Sequence, residues 1–244
     1  MPPKDSIENR LIVHELPSAP KFIGRDPELE SLRDFWSGSD QVVSLIGLGG
    51  AGKTALADRF LNWVESNDAP DWLLVWSFYD DPDANAFLET LYRFLTGDQQ
   101  AEVKGSGWFH LLREELSGNK RVLLILDGLE RVQRPITDAS GIYGDLEDPL
   151  LKGLLTRLAS SGGRTKAVIT SRFPVATVEP YLGRGYQVLN VEQLPNSAVK
   201  ELMALRGIHL DDLSLARFVS TFGSHALSLD LLAGAIENYF DRDI

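Results

Sequence analysis

The chain has 244 residues, of which 43% are hydrophobic and 9% aromatic. That apolar content is enough for a buried core, so the composition excludes an intrinsically disordered protein. The sequence contains no cysteine, which excludes disulfide bonds and thiolate metal sites. The formal net charge is −11 at pH 7, with acidic residues spread along the whole chain. Because such a surface repels phosphate backbones, we expect no nucleic-acid partner.

We expect no signal peptide at the N-terminus. Met1–Asp5 lacks the apolar core of a signal peptide, and no later run approaches the ~18–20 apolar residues that cross a bilayer. We therefore expect a cytoplasmic protein without a membrane partner. Residues 1–20 are mixed and proline-containing, and we predict that they form a linker packed along the body of the protein.

A helix is predicted directly after this linker. Residues 22–29 read FIGRDPEL, in which Asp26 and Pro27 suit the start of a helix. Leu32 and Trp36 continue its apolar face. A Gly-Ser-Asp sequence then ends the helix before the next strand.

A glycine-rich turn between a strand and a helix is the strongest chemical signal. Gln41–Ile46 is apolar and β-branched, as in a buried strand, and Gly47–Thr54 then reads GLGGAGKT. This matches G-x-x-x-x-G-K-[ST], the phosphate-binding loop (P-loop), whose backbone N–H groups converge on an anion at the start of a helix. We expect Lys53 to neutralise the β- and γ-phosphates and the Thr54 hydroxyl to ligate Mg²⁺.

A dinucleotide site is an alternative interpretation of the same turn. Gly47, Gly49 and Gly52 also spell G-x-G-x-x-G. That fingerprint requires an acid about 20 residues later, at the end of the second strand, to hold a ribose. Asp71 precedes the second strand and Asp80 comes late, so the sequence favours the P-loop.

Four more strands are predicted, separated from one another by helical or irregular segments: Trp72–Phe78, Arg121–Asp127, Lys166–Thr170 and Gly185–Leu189. Crossover connections of this kind produce a parallel sheet covered on both faces. After Val191 only helical patterns follow. The predicted fold is therefore an α/β P-loop NTPase sheet with helices on both faces (residues 21–192), followed by a small all-helical domain (residues 193–244).

Polar residues follow two of these strands. Asp127 ends the third strand, at the sheet edge where parallel α/β folds bind ligands, and is placed to hold the water shell of Mg²⁺. Glu130 could orient or deprotonate the attacking water, or it could be a solvated loop residue. Arg172 follows the fourth strand and reaches the γ-phosphate if that strand lies between those of the P-loop and Asp127. Otherwise it is a surface arginine before Pro174.

Taken together, five stretches resemble the signal-transducing STAND NTPases, which include the NB-ARC ATPases of apoptosis and plant immunity. Their order is that of the family, and the likeness covers roughly residues 20–240. The five are FIGRD (22–26), the Walker A loop (47–54), the Walker B segment LLILDGLE (123–130), the TSR sensor (170–172) and GSHALSL (223–229).

The resemblance implies a sheet in which the sensor strand separates the Walker A and Walker B strands. It also implies adenine held between the FIGRD motif and the helical domain, with Ile23 and Arg25 nearest the base. The predicted ligands are ATP or ADP and Mg²⁺, with the metal at Thr54 and, through water, at Asp127. The predicted catalytic residues are Lys53, Asp127, Glu130 and Arg172, and the predicted nucleotide-binding residues are Phe22, Ile23, Arg25, Gly49, Gly50, Ala51, Gly52, Lys53, Thr54, Ala55, Ala226 and Leu227.

The sequence departs from the family pattern at two places. Ala226 stands where the family usually has a proline that packs against adenine. The sequence ends at Ile244, where family members continue into a winged-helix domain and sensor repeats. We therefore expect a core module whose effector and sensor domains lie outside this chain.

Three functions fit these features. The favoured one is a switch of a signalling or defence protein that binds ADP at rest, binds ATP when active, hydrolyses ATP slowly and forms an ATP-dependent homo-oligomer in the full-length protein. The second is a turnover ATPase or a phosphotransferase of another P-loop class. The third is an interaction module in which the nucleotide only stabilises the fold.

Overall fold

A computed structural model describes residues 9–18, 22–100, 107–134 and 142–239. Within these residues, six strands form one sheet: β1 (Asn9–Ile12), β2 (Val42–Ile46), β3 (Trp72–Ser77), β4 (Val122–Asp127), β5 (Thr165–Ser171) and β6 (Tyr186–Asn190). The helices are α1 (Asp26–Ser37), α2 (Lys53–Asn67), α3 (Ala84–Thr96), α4 (Gly107–Leu116), α5 (Pro149–Ser161), α6 (Asn196–Leu205), α7 (Asp212–Phe222) and α8 (Ala226–Tyr239). The described residues also include 3-10 helices at Leu129–Val132 and Ala176–Tyr181.

The sheet is parallel in every pairing, and its two faces have separate cores. Successive side chains of a strand point to opposite faces. Accordingly, Leu73 and Val75 of β3 pack with the helices α1 and α2, whereas Leu74 and Trp76 pack with α3, α4 and α5. Burial on both faces explains why these strands have continuous apolar sequences rather than an alternating pattern. The predicted P-loop NTPase fold is confirmed.

The strand order is β1-β3-β4-β5-β2-β6. The sensor strand β5 therefore lies between the Walker B strand β4 and the Walker A strand β2, as the family resemblance implied. The registers pair Leu126 with Ile169 and Ile46 with Ser171. The ends of the three strands consequently meet at one edge of the sheet.

Part of the predicted N-terminal linker is a strand. β1 pairs with β3 from Asn9 opposite Trp72 to Ile12 opposite Val75, and Arg10 forms an ion pair with Glu65 at 2.6 Å. The sequence did not predict this strand, because a short, half-exposed edge strand has no long apolar run. Outside the described residues lie 1–8 and 19–20 of the predicted linker, residue 21, and the end of the predicted helical domain (240–244).

Helices α6, α7 and α8 pack around a third hydrophobic core. Val199, Met203, Phe218 and Leu229 are buried in it, and Ile23 of the FIGRD motif packs against it. The division into domains at residue 193 stays a prediction. Across the described ranges, every helix is too short or too polar to cross a bilayer.

A lysine connects β5 to the end of α1. The ammonium group of Lys166 donates hydrogen bonds to the carbonyl oxygens of Phe35 (2.9 Å), Gly38 (2.9 Å) and Asp40 (2.6 Å). Burial lowers the pKa of Lys166 to about 8, against the opposing effect of the Asp40 carboxylate. The end of α1 is therefore held by the ammonium group of Lys166, whose charged form is destabilised by burial.

We predict that Lys166 makes stability rise with pH. The ordinary lysine pKa is 10.5, so between pH 8 and 10.5 the unfolded chain binds more protons than the folded chain. Over this window the free energy of unfolding of the wild type should rise relative to that of Lys166→Met, by about 3 kcal/mol at most. Urea denaturation at several pH values measures the difference. Lys200→Met, at an exposed position, is the control, and a difference that is flat or falls with pH would contradict the prediction.

Candidate functional site

The P-loop between β2 and α2 has a backbone that requires glycine. Gly50 has φ of 79° and Gly52 has φ of 98°, in the left-handed region that side chains rarely adopt. A Cβ on Gly50 would also lie only 2.8 Å from Cβ of Leu227. α2 begins at Lys53, so the first N–H groups of this helix face the loop. This arrangement is an anion-binding site.

The side chain of Lys53 is buried at this site. Its ammonium group donates hydrogen bonds to the carbonyl oxygens of Gly47 (2.8 Å) and Leu48 (2.9 Å), and the residue is 5% exposed. Burial lowers its pKa, as does Arg172, whereas Glu130 and Asp127 act in the opposite direction. The loop itself thus holds a cation next to its converging N–H groups.

Asp127 connects three elements of the sheet edge. Its Oδ1 accepts hydrogen bonds from the hydroxyls of Thr54 (2.7 Å) and Thr170 (2.6 Å), and the Thr170 oxygen accepts one from the Gly128 N–H (2.9 Å). Burial raises the pKa of Asp127, while the two hydroxyl donors lower it. The acid of β4 therefore lies beside the first turn of α2.

A hydroxyl and a carboxylate are oxygen ligands of the kind that Mg²⁺ prefers. Thr54 and Asp127 therefore fit a magnesium ion that also binds phosphate oxygens and water. The described residues contain no cluster of three or more His, Cys, Asp or Glu that could enclose a metal by themselves. In phosphate sites Mg²⁺ is usually held by one or two protein groups together with phosphate oxygens and water.

Glu130 is enclosed rather than solvated. Its side chain is 7% exposed, and its carboxylate accepts hydrogen bonds from the Tyr79 hydroxyl and from the Arg172 backbone N–H (3.3 Å). The Arg172 guanidinium lies 3.0 Å from the same carboxylate. Burial, together with the bond to Glu130, raises the pKa of Tyr79. The alternative of a solvated loop glutamate is therefore wrong.

Arg172 lies between this carboxylate and the P-loop. A Cβ on Gly49 would meet the Cζ atom of Arg172 at 3.0 Å, so the guanidinium covers the loop at Gly49. The side chain is 52% exposed. An arginine in this place can contact both Glu130 and an anion in the loop.

The P-loop forms the floor of a cavity of about 590 Å³, within the size range of small-molecule sites. All predicted nucleotide-binding residues line it, and so does Arg172. Asp127 and Glu130 are not among its lining residues. Asp127 instead contacts the lining residue Thr54, and Glu130 contacts Tyr79 and Arg172. The sequence did not indicate seven further lining residues, namely Pro17, Ser18, Tyr79, Leu194, Leu202, Arg206 and Asp230.

Arg25 lines the cavity but is mainly engaged by the protein. Its guanidinium donates to the carbonyl oxygens of Ala51 (3.0 Å) and Glu192 and to the Glu28 carboxylate (2.7 Å). Gly24 (φ 68°) approaches α6 so closely that a Cβ would overlap Ala198. Arg25 of the FIGRD motif thus connects the P-loop with the segment that precedes α6.

The first turn of α8 closes the cavity from the other side. The Leu227 N–H donates to the carbonyl oxygen of Gly50 at 3.2 Å. Ala226 and Leu227 both line the cavity. The helix α8 is therefore in direct hydrogen-bonded contact with the P-loop.

Comparison with known proteins agrees with this geometry. The profile of the AAA domain family matches residues 36–167, more than half of the chain. An uncharacterised WD repeat-containing protein of Nostoc sp. (strain PCC 7120) is 24% identical over 242 residues. The match covers 94% of this chain but only 19% of the Nostoc protein.

Solved structures share the fold. A STAND protein with a tetratricopeptide repeat sensor from Pyrococcus horikoshii has a TM-score of 0.57 at 20% identity, over 89% of this chain and 30% of that chain. Cdc6p from Pyrobaculum aerophilum has a TM-score of 0.59 at 16% identity, over 92% and 64%. The Walker-type ATPase of Pyrococcus abyssi has a TM-score of 0.57 at 13% identity, over 94% and 72%.

At these identities the structural matches establish the fold alone, and they are consistent with the resemblance to STAND-class P-loop NTPases. The family profile goes further, since it covers the P-loop and the whole of the strands β2, β3 and β4, including the Walker B strand. The chain belongs to the AAA domain family and is an AAA-type P-loop ATPase module.

Proposed function

We propose that this module is a nucleotide-operated switch. It binds ATP or ADP with Mg²⁺, hydrolyses ATP slowly, and converts the identity of the bound nucleotide into the relative position of the sheet and the helices α6–α8.

The observation that carries this proposal is the shared cavity. Its floor is the P-loop and its other wall belongs to α6 and α8, with the Leu227 N–H on the Gly50 carbonyl between them. A ligand seated there touches both parts of the molecule. Its binding free energy therefore differs between conformations that keep these contacts and conformations that break them, which is the requirement for a ligand-driven switch.

Each polar group has a role in this proposal. The P-loop N–H groups and Lys53 bind the phosphates, and Phe22 and Ile23 contact the base. Thr54 and Asp127 would hold Mg²⁺. When bound, Mg²⁺ would neutralise negative charge on the phosphate oxygens.

Arg172 acts as the sensor and Glu130 as the base. Because the guanidinium lies against both Gly49 and Glu130, it can exchange its pairing with the carboxylate for a pairing with a γ-phosphate. That exchange would free Glu130 to accept a proton from water. The bonds that Glu130 accepts in the present arrangement must first be weakened, which supports slow hydrolysis.

We further propose that the switch serves a larger signalling or defence protein. The matched Nostoc protein is named for WD repeats, and the matched P. horikoshii protein carries a tetratricopeptide repeat sensor. This chain corresponds to less than a third of either one. A repeat sensor that restrains α6–α8, with an ATP-dependent homo-oligomer as the active form, would fit both relatives.

Lys53→Ala should weaken the binding of both ADP and ATP. The substitution removes the buried ammonium group from the phosphate site, and hydrogen bonds of charged groups of this kind correspond to a loss of about 10- to 100-fold in affinity. Isothermal titration calorimetry measures the change. Lys200→Ala removes an exposed lysine of α6 and should leave affinity as in the wild type. Equal affinities for wild type and Lys53→Ala would refute the phosphate site.

Glu130→Gln should slow hydrolysis and preserve nucleotide binding. Loss of a general base lowers a rate by roughly 10²- to 10⁴-fold. Phosphate release from ATP is the readout, and Glu114→Gln, an exposed position in α4, is the control. If the variant hydrolyses ATP as fast as the wild type, Glu130 is not the base. A wild-type rate of several turnovers per second would instead favour a turnover ATPase.

A further inference from the structure

The helical wall of the cavity is apolar except at one charged pair. Leu194, Leu202 and Leu227 line this wall, together with Arg206, which directly follows α6, and Asp230 of α8. Nη2 of Arg206 lies 2.5 Å from Oδ1 of Asp230. None of the catalytic or phosphate-binding roles described above uses this pair.

The Arg206–Asp230 pair is exposed enough for a ligand in the cavity to reach it. The side chain of Arg206 is 24% exposed and that of Asp230 is 52% exposed. A partly exposed ion pair of this kind contributes little to stability. Asp230 is an acceptor that a donor group in the cavity can reach, and the guanidinium fixes its orientation.

The position of Asp230 along α8 indicates which part of a nucleotide it meets. The N–H of Leu227 contacts the P-loop at Gly50, where phosphates bind. Asp230 follows three residues later, on the same side of the helix and about 4.5 Å further along its axis. In a nucleoside diphosphate the ribose is the group next to the phosphates, and the base lies beyond it. The ribose hydroxyls, which can donate hydrogen bonds, would therefore lie at the height of Asp230 along α8.

We propose that Asp230 accepts a hydrogen bond from the 2′- or 3′-hydroxyl of the nucleotide ribose and that Arg206 positions its carboxylate. The inference rests on the proposed nucleotide binding and adds a selectivity for ribonucleotides. A carboxylate that holds a ribose hydroxyl is known chemistry in dinucleotide-binding folds. Because Asp230 and Arg206 both belong to the helical part, the ribose would contribute to holding that part against the P-loop.

The test compares the binding of ADP, 2′-deoxy-ADP and 3′-deoxy-ADP by isothermal titration calorimetry. The wild type should bind the analogue that lacks the contacted hydroxyl about tenfold more weakly than ADP. Asp230→Ala should bind ADP about tenfold more weakly than the wild type and should lose this discrimination. The ratio of affinities within one variant is independent of its folded fraction, so partial unfolding does not obscure the result.

Asp212→Ala is the matched control. Asp212 also forms an ion pair in the helical part, with Lys200 at 2.9 Å, but it is 96% exposed and does not line the cavity. This variant should discriminate as the wild type does. Unchanged discrimination in Asp230→Ala would overturn the ribose contact and leave the switch intact, as would a change only in the preference for ADP over GDP. Failure of the wild type to bind ADP would overturn the proposed function as well.

Discussion

The Oδ1 atom of Asp127 accepts hydrogen bonds from two hydroxyls that reach it from different elements, Thr54 of α2 and Thr170 of β5. A buried carboxylate without such partners is costly. Any shift of β4 against the P-loop or the sensor strand would break one of these two hydrogen bonds. The positions of the phosphate loop, the Walker B acid and the sensor strand are therefore fixed together, and the chemistry assigned to Lys53 and Arg172 depends on that alignment.

A second set of contacts connects this rigid edge to the helical part. Two consecutive carbonyl groups of the P-loop, those of Gly50 and Ala51, accept hydrogen bonds from Leu227 of α8 and from Arg25. Arg25 also holds the Glu192 carbonyl in the segment before α6. The P-loop is thus hydrogen-bonded directly to α8, and through Arg25 it is connected to the segment that precedes α6. A conformational change in either place would therefore break contacts that hold the other.

Much of the sheet edge was predictable because its signals are local. The GLGGAGKT turn specifies its own backbone through Gly50 and Gly52, and the apolar strand before Asp127 specifies burial. The strand order could be expected only through the family resemblance, since crossover connections alone permit several orders. Because β5 is the neighbour of β4, the segments that carry Arg172 and Glu130 leave the same edge of the sheet side by side.

The sequence by itself determined the P-loop, the strands and helices around it and the acid and arginine at their ends, because glycine spacing and apolar periodicity are properties of neighbouring residues. Only the tertiary structure decided that Asn9–Ile12 form an edge strand, that Tyr79 encloses Glu130, and that Arg206 and Asp230 face the nucleotide cavity. Each of these contacts joins residues far apart in the chain. Tyrosine, arginine and aspartate are common on protein surfaces. No local sequence pattern therefore marks Tyr79, Arg206 or Asp230 as part of the site before the chain is folded.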